Sequence, residues 1–101
     1  MTYEVHLTPL ALKDLEELGR CGYGHKAREL LTILENDPFQ EPPRYKRLSG
    51  DLKGAFSRRI NVEHRLVYEV MPPDDSGYQG KVIVYRMRTH YKGMIPVIFF
   101  L

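Results

Sequence analysis

A chain of 101 residues, 43% hydrophobic and 28% charged, can build one hydrophobic core but not two, which excludes a multidomain enzyme and a disordered chain alike. A single cysteine, Cys21, excludes an internal disulfide framework and is read as a structural or loop residue. The net charge of +2 is unevenly spread: residues 1–43 carry four Lys or Arg against eight Asp or Glu (−4), and residues 44–92 carry eleven against five (+6). The basic half is read as a surface that meets polyanions, against the plainer reading of a solvated sheet face. No apolar run reaches membrane-span length and MTYEVHLT has no signal-peptide character. A cytoplasmic protein with no membrane partner is therefore expected.

Tyr3–Leu7 alternates and is expected to be a first strand. Thr8-Pro9 reads as the N-cap and first residue of a helix with Ala11, Leu12, Leu15 and Leu18 as its apolar stripe and Asp14, Glu16 and Glu17 outside it. Gly19, Gly22 and Gly24 break that helix. A second runs from about His25 to Asn36, with Ala27, Leu30, Leu31 and Leu34 at helical spacing. Residues 37–44, DPFQEPPR, form a Pro-rich loop, and Tyr45–Leu52 is a polar, basic turn into the sheet. A hairpin follows, then a strand over 64–71, an evident loop from Met71 to Gly77, and a strand over Lys81–Arg88. The tail PVIFFL, Pro96–Leu101, reads as a further strand. The fold class is α+β, a single domain over residues 1–101. Two N-terminal helices pack on one face of a mostly antiparallel sheet, in β-α-α-β-β-β order, and the opposite face is left free.

The hairpin FSRRINVEHRLVY, Phe56–Tyr68, organises the chain. With Asn61–Glu63 as its loop, Arg59 lies opposite Arg65 on one face, and Phe56, Ile60, Leu66 and Tyr68 lie on the core face. Like charges directly opposite one another destabilise a sheet. An anion between them, such as phosphate, would justify the arrangement.

The residues able to carry chemistry are Lys46, Arg47, Arg59, Arg65, His90 and Tyr91. The four histidines, His6, His25, His64 and His90, have no metal-ligand spacing, and no phosphate loop follows a strand, so neither metal nor cofactor is expected. Such a set suits RNA cleavage by the neighbouring 2′-hydroxyl, which needs a base, cations for the phosphorane charge and an acid for the 5′-oxygen. Arginine supplies a permanent bidentate cation, histidine an acid, and tyrosine a stacking ring. Each also has an ordinary reading: Arg58 and Arg59 as solvated strand charges, His64 as a satisfied, half-buried histidine, Tyr91 as sheet-edge packing, Lys46 as a surface lysine.

The segment LSGDLKGAFSRRINVEHRLVY, Leu48–Tyr68, with Arg88-Thr89-His90-Tyr91 and Asp37-Pro38-Phe39, resembles the YoeB/Txe branch of the RelE-type bacterial toxins. The resemblance implies a RelE-like fold and a toxin of a type II toxin–antitoxin pair: an endoribonuclease that cuts translated mRNA on the ribosome and is silenced by a cognate antitoxin of the YefM/Axe type. It matches Arg65 to the phosphate-stabilising arginine, His90 to the general acid, Tyr91 to the terminal tyrosine and Arg59 to a basic active-site position. Arg47, Arg58, His64, Lys53 and Arg88 join the substrate-binding set, and Arg44, Arg86 and Lys92 are expected to grip ribosomal RNA. Two departures stand out. Lys46 occupies the place of the usual glutamate base, and a lysine acts as a base only where burial or nearby cations favour its neutral form; Glu41 and Glu63 are the other candidates. Ten residues also follow the His-Tyr pair, and this tail can extend the sheet, make a homodimer contact or lie under the antitoxin. Two other functions remain open: a non-enzymatic toxin on the same scaffold that binds a protein target such as a topoisomerase, and a co-repressor that acts with the antitoxin on operator DNA.

Overall fold

The computed structural model describes residues 2–89. His90, Tyr91, Lys92 and the strand expected over Pro96–Leu101 lie outside the described residues. The elements run β1 (Glu4–Leu7), α1 (Pro9–Arg20), α2 (Gly24–Asn36), β2 (Tyr45–Arg47), a 3-10 turn (Gly50–Leu52), β3 (Phe56–Arg59), β4 (Arg65–Met71) and β5 (Lys81–Thr89). They form one five-stranded sheet in the order β1-β5-β4-β3-β2. The α+β arrangement is as expected. The sheet is mixed, because β1 runs parallel to β5, with Glu4 opposite Lys81 and Leu7 opposite Val84, while the other pairings are antiparallel. The stretch Tyr45–Leu52, expected as a turn alone, contributes the edge strand β2 before the 3-10 turn.

Both helices lie on one face. Thr8 caps α1: its Oγ1 accepts from the Ala11 amide at 3.1 Å and donates to the Tyr85 carbonyl at 2.8 Å, which ties the start of the helix to β5. Ala11, Leu18, Ala27, Leu30 and Leu34 then pack on Ile60, Leu66, Tyr68, Val82, Val84 and Met87. The buried face of α1 differs from the expected one. Leu12 is 54% exposed, and Asp14 is 5% exposed within the Ala11, Asp14, Leu15, Leu18 stripe. The Asp14 carboxylate accepts from Arg86 Nε at 2.8 Å, Arg86 Nη2 at 3.2 Å and the Met87 amide at 3.0 Å. The β4–β5 register shifts between Arg65 and Tyr68, and Met87 has no register partner across β4. Asp14 thus satisfies an amide that the irregular ladder leaves over.

The opposite face is only partly free. Leu48, Leu52, Ala55 and Val67 form a small second cluster there, because the 3-10 turn folds back over β4. What stays open is the end of the sheet where the hairpin turns.

Candidate functional site

The hairpin adopts the expected register. Arg59 pairs with Arg65, Arg58 with Leu66 and Phe56 with Tyr68. Asn61 shapes the turn, its side-chain oxygen accepting from the Glu63 amide at 2.9 Å and the His64 amide at 2.6 Å. Arg65 is braced against that turn. Its Nη1 donates to the carbonyls of Asn61, Val62 and His64 at 2.9, 3.3 and 3.2 Å. No other side-chain group of Arg65 has a hydrogen bond among the described residues, and the side chain of Arg59, exposed, has none there at all. The two arginines are thus cross-strand partners, and both keep guanidinium donors to spare.

Across β3, Lys46 pairs with Ser57, which puts it on the face of Arg59 and Arg65. These three side chains come together in an open groove of about 770 Å³, lined also by Lys26, Pro43, Arg44, Tyr45, Ser57 and Ile60. The described lining holds five cations and no carboxylate. Five chain segments deliver them, one each: α2, the connection into β2, and β2, β3 and β4 themselves. Lys26 was not singled out by the sequence, because no local pattern ties a helix residue to a hairpin thirty positions away. Glu41 and Glu63 do not line the groove. Glu41 accepts from the Tyr45 amide at 3.4 Å, and the exposed Glu63 carboxylate pairs with His64 Nε2 at 3.2 Å.

Arg58 is corrected from a substrate-binding residue to a structural one. Its parity in β3 is that of Phe56 and Ile60, so it points into the core and is 1% exposed. Its guanidinium donates to three carbonyls of the Pro-rich connection: Pro43 at 2.6 Å, Pro38 at 2.8 Å and Gln40 at 3.0 Å. It lies 5.2 Å from the Tyr45 ring centroid and 5.9 Å from that of Tyr68. The Tyr68 hydroxyl donates to the same Pro38 carbonyl at 2.7 Å, and burial, partly countered by the Arg58 charge, pushes its pKa up to about 12. Arg58 thereby holds the loop that carries Arg44 and Lys46 to the groove.

Arg86 is corrected likewise, since its guanidinium is bound to the buried Asp14 carboxylate. Arg47 shares the face of Phe56, whose ring centroid it overlies at 5.4 Å, and does not line the groove. Lys53, His64 and Arg88 do not line it either. His64 is half-buried with Nε2 against Glu63, but its buried Nδ1 has no hydrogen-bond partner among the described residues, so the satisfied histidine of its ordinary reading is met in part. Lys53 caps the 3-10 turn and Arg88 is exposed near the end of β5. Among the described residues no group of three or more His, Cys, Asp or Glu side chains is placed to hold a metal ion, and no helix is long and apolar enough to cross a membrane.

Two helices on one face of a mixed sheet is an architecture shared with solved bacterial toxins. The fold is shared with a mutant form of YafQ from E. coli, with a TM-score of 0.67 at 18% identity over 89% of this chain and 96% of that one. The likeness is stronger to a YoeB/ParE toxin from Agrobacterium tumefaciens, with 31% identity and a TM-score of 0.72 over 87% of this chain and 99% of that one. Toxin YoeB of Streptomyces coelicolor is 36% identical over 66 residues, 65% of this chain and 70% of that protein. Residues 22–91 match the model of the YoeB-like toxins of bacterial type II toxin–antitoxin systems, and the chain belongs to that family. A YoeB–YefM complex from Staphylococcus aureus is similar to it at 29% identity, with a TM-score of 0.67 over 88% of this chain and 98% of that one.

Proposed function

We propose that this toxin is an mRNA endoribonuclease acting on the ribosome. The observation that carries the reading is the pairing of Arg59 with Arg65 in one groove with Lys46. Two adjacent guanidiniums repel each other unless a dianionic or trigonal-bipyramidal phosphate lies between them, and such a group is what the reaction creates. In the proposed step the 2′-hydroxyl loses its proton and its oxygen attacks the adjacent phosphorus. The P–O5′ bond breaks, and the 5′-oxygen takes a proton, leaving a 2′,3′-cyclic phosphate. Arg59 and Arg65 stabilise the phosphorane charge, and Lys46 assists the 2′-hydroxyl. His90 gives the proton to the 5′-oxygen, and Tyr91 stacks on or orients the substrate. Lys46 is favoured over Glu41 and Glu63 because, of the three, Lys46 alone lines the groove.

A cognate antitoxin with an acidic segment would silence the protein by covering this groove. The solved YoeB–YefM complex and the YoeB dimer, both from Staphylococcus aureus, support an antitoxin partner and a homodimer for this chain as well. The test is mRNA cleavage on programmed ribosomes, comparing the antitoxin-free protein with Arg65→Ala, Arg59→Ala and His90→Gln. Loss of one oxyanion-stabilising group is expected to cost roughly 10²–10³ in rate. A folded, antitoxin-free toxin that cuts nothing would sink the reading and point to a protein target. Cleavage that survives His90→Gln would reassign the acid.

A further inference from the structure

We propose that the groove contains a second phosphate subsite, built by Lys26 of α2 and Arg44 at the entry to β2, that takes the phosphate next to the scissile one on a single-stranded RNA. The subsite rests on the RNA reading above and extends it along the strand.

Arg59, Arg65 and Lys46 account for one phosphate, yet the groove is larger than one phosphate requires. At about 30 Å³ per water, its volume of about 770 Å³ equals roughly twenty-five waters, several times the size of a five-atom phosphate group. The rest of the lining adds two more cations. Lys26 and Arg44 line the groove together with the three hairpin-side cations, and no carboxylate lies among the described lining residues. The Arg44 side chain is exposed and has no hydrogen bond or ion pair among the described residues. Lys26 has one long contact, 4.0 Å to Glu29 on its own helix, an exposed i,i+3 pair of the kind worth a few tenths of a kcal/mol. Both cations are therefore available to a ligand at small cost.

Nucleic acid fits better than an acidic peptide. Tyr45, half-buried, lines the same groove, so one aromatic side chain stands among the charges, as a partner made of bases and phosphates requires. Arg44 stands two residues before Lys46 on the segment that Arg58 pins through the Pro43 carbonyl. Its backbone is thereby held in a fixed relation to β3, which suits a subsite that sets the position of the strand before the cut.

The experiment is equilibrium binding of 2′-O-methyl oligoribonucleotides, which cannot be cut, by fluorescence anisotropy across a range of potassium chloride concentrations. The series runs from a dinucleotide with one phosphate to a hexanucleotide. For single strands each phosphate contact adds about 0.7 to the slope of log Kd against log salt. Lys26→Gln and Arg44→Gln are each expected to flatten the slope for the longer oligonucleotides by up to about 0.7, leaving the dinucleotide unchanged, with Lys26→Arg restoring it. Arg65→Ala flattens it at every length. A double variant with an unchanged slope overturns the subsite. So does an equal loss for the dinucleotide, which would mean a diffuse field. Unchanged RNA binding with weakened binding of an acidic antitoxin peptide would also overturn it, assigning the surface to the partner. If wild type cuts no mRNA on ribosomes but the length-dependent slope effect is present, the nuclease reading fails and the subsite stands.

Discussion

Replacing Arg58 by alanine separates the two neighbouring arginines by what they do. Arg58 is a buried cation with no carboxylate partner among the described residues; its charge is met by three carbonyl dipoles and two aromatic rings. Hydrogen bonds from a charged donor contribute about 1.5–3 kcal/mol each, offset by the desolvation of the guanidinium. Truncation removes those bonds, leaves the Pro43 and Gln40 carbonyls to find other donors, and opens a cavity under Tyr45 and Tyr68. A net loss of about 3–5 kcal/mol is expected from breaking such a buried charged network. Against a total stability of about 5–15 kcal/mol for a domain of this size, that is a large share. At about 4–8 °C per kcal/mol it lowers Tm by roughly 12–40 °C. Arg59→Ala, one residue along, removes an exposed side chain and relieves its repulsion with Arg65, so stability should change by less than about 0.5 kcal/mol. The assay is urea unfolding beside ribosome-dependent cleavage for both variants. Arg58→Ala should lose stability and, where it remains folded, keep groove chemistry in part; Arg59→Ala should lose cleavage and keep stability. An Arg58→Ala protein with an unchanged midpoint and no cleavage would refute the assignment and return Arg58 to the substrate.

Asp14→Ala or Arg86→Ala breaks a buried pair and should cost about 3–5 kcal/mol, with a coupling of about 1–3 kcal/mol in a double-mutant cycle; additive losses in urea unfolding would show that the pair is not a unit. Tyr68 and Tyr85 both have pKa values pushed up from 10.0 to about 12, Tyr68 by burial and Tyr85 by burial and its hydrogen bond to Glu69. The neutral phenols are favoured in the fold, so their contribution is full below pH 10 and fades as pH rises towards about 12. Unfolding midpoints across that window should fall, less steeply for Tyr85→Phe and Tyr68→Phe; equal steepness in all three would contradict the shifts. Lys46→Ala should reduce single-turnover cleavage by roughly 10²–10⁴ if the lysine handles the 2′-hydroxyl proton, and a loss under tenfold would move the base elsewhere.

The hairpin was readable because a three-residue loop and a period of two leave one register that buries Phe56, Ile60, Leu66 and Tyr68. The same parity put Arg58 on the core face. The residue type argued the other way, since a guanidinium is rarely fully buried, and no sequence pattern reveals that Pro38, Gln40 and Pro43 turn their carbonyls towards it. Asp14 failed for a related reason. Helical spacing fits Ala11, Asp14, Leu15 and Leu18 as well as it fits a stripe with Leu12, and hydrophobicity alone chose the leucine. The pairing that makes Asp14 a core residue lies 72 positions away on β5. The groove was legible where one hairpin builds it and illegible where α2 does: Arg59 and Arg65 are visible together in the sequence, Lys26 is not.

The arrangement of cations explains why the fold tolerates so much positive charge in so few residues. Three arginines of the basic half are matched to different kinds of oxygen. Arg86 takes a carboxylate and Arg58 takes loop carbonyls, and both are thereby removed from the surface field. Arg65 is half committed: Nη1 is spent on the turn carbonyls, which fixes the guanidinium plane and leaves its other donors for a ligand beside Arg59. Pre-organising the cation in this way costs little when an anion arrives, because its rotamer entropy has already been given up to the turn. On the proposed function, repulsion between Arg59 and Arg65 is a local instability of the unliganded groove that a bound phosphate would relieve. Asn61 must then matter to function without touching substrate. Asn61→Gly, which keeps the backbone carbonyl but loses the Oδ1 hold on the Glu63 and His64 amides, should loosen Arg65 and reduce ribosome-dependent cleavage more than it reduces affinity for an uncleavable oligoribonucleotide. Equal loss of both would mean that Arg65 only attracts the strand and does not depend on the turn for its aim.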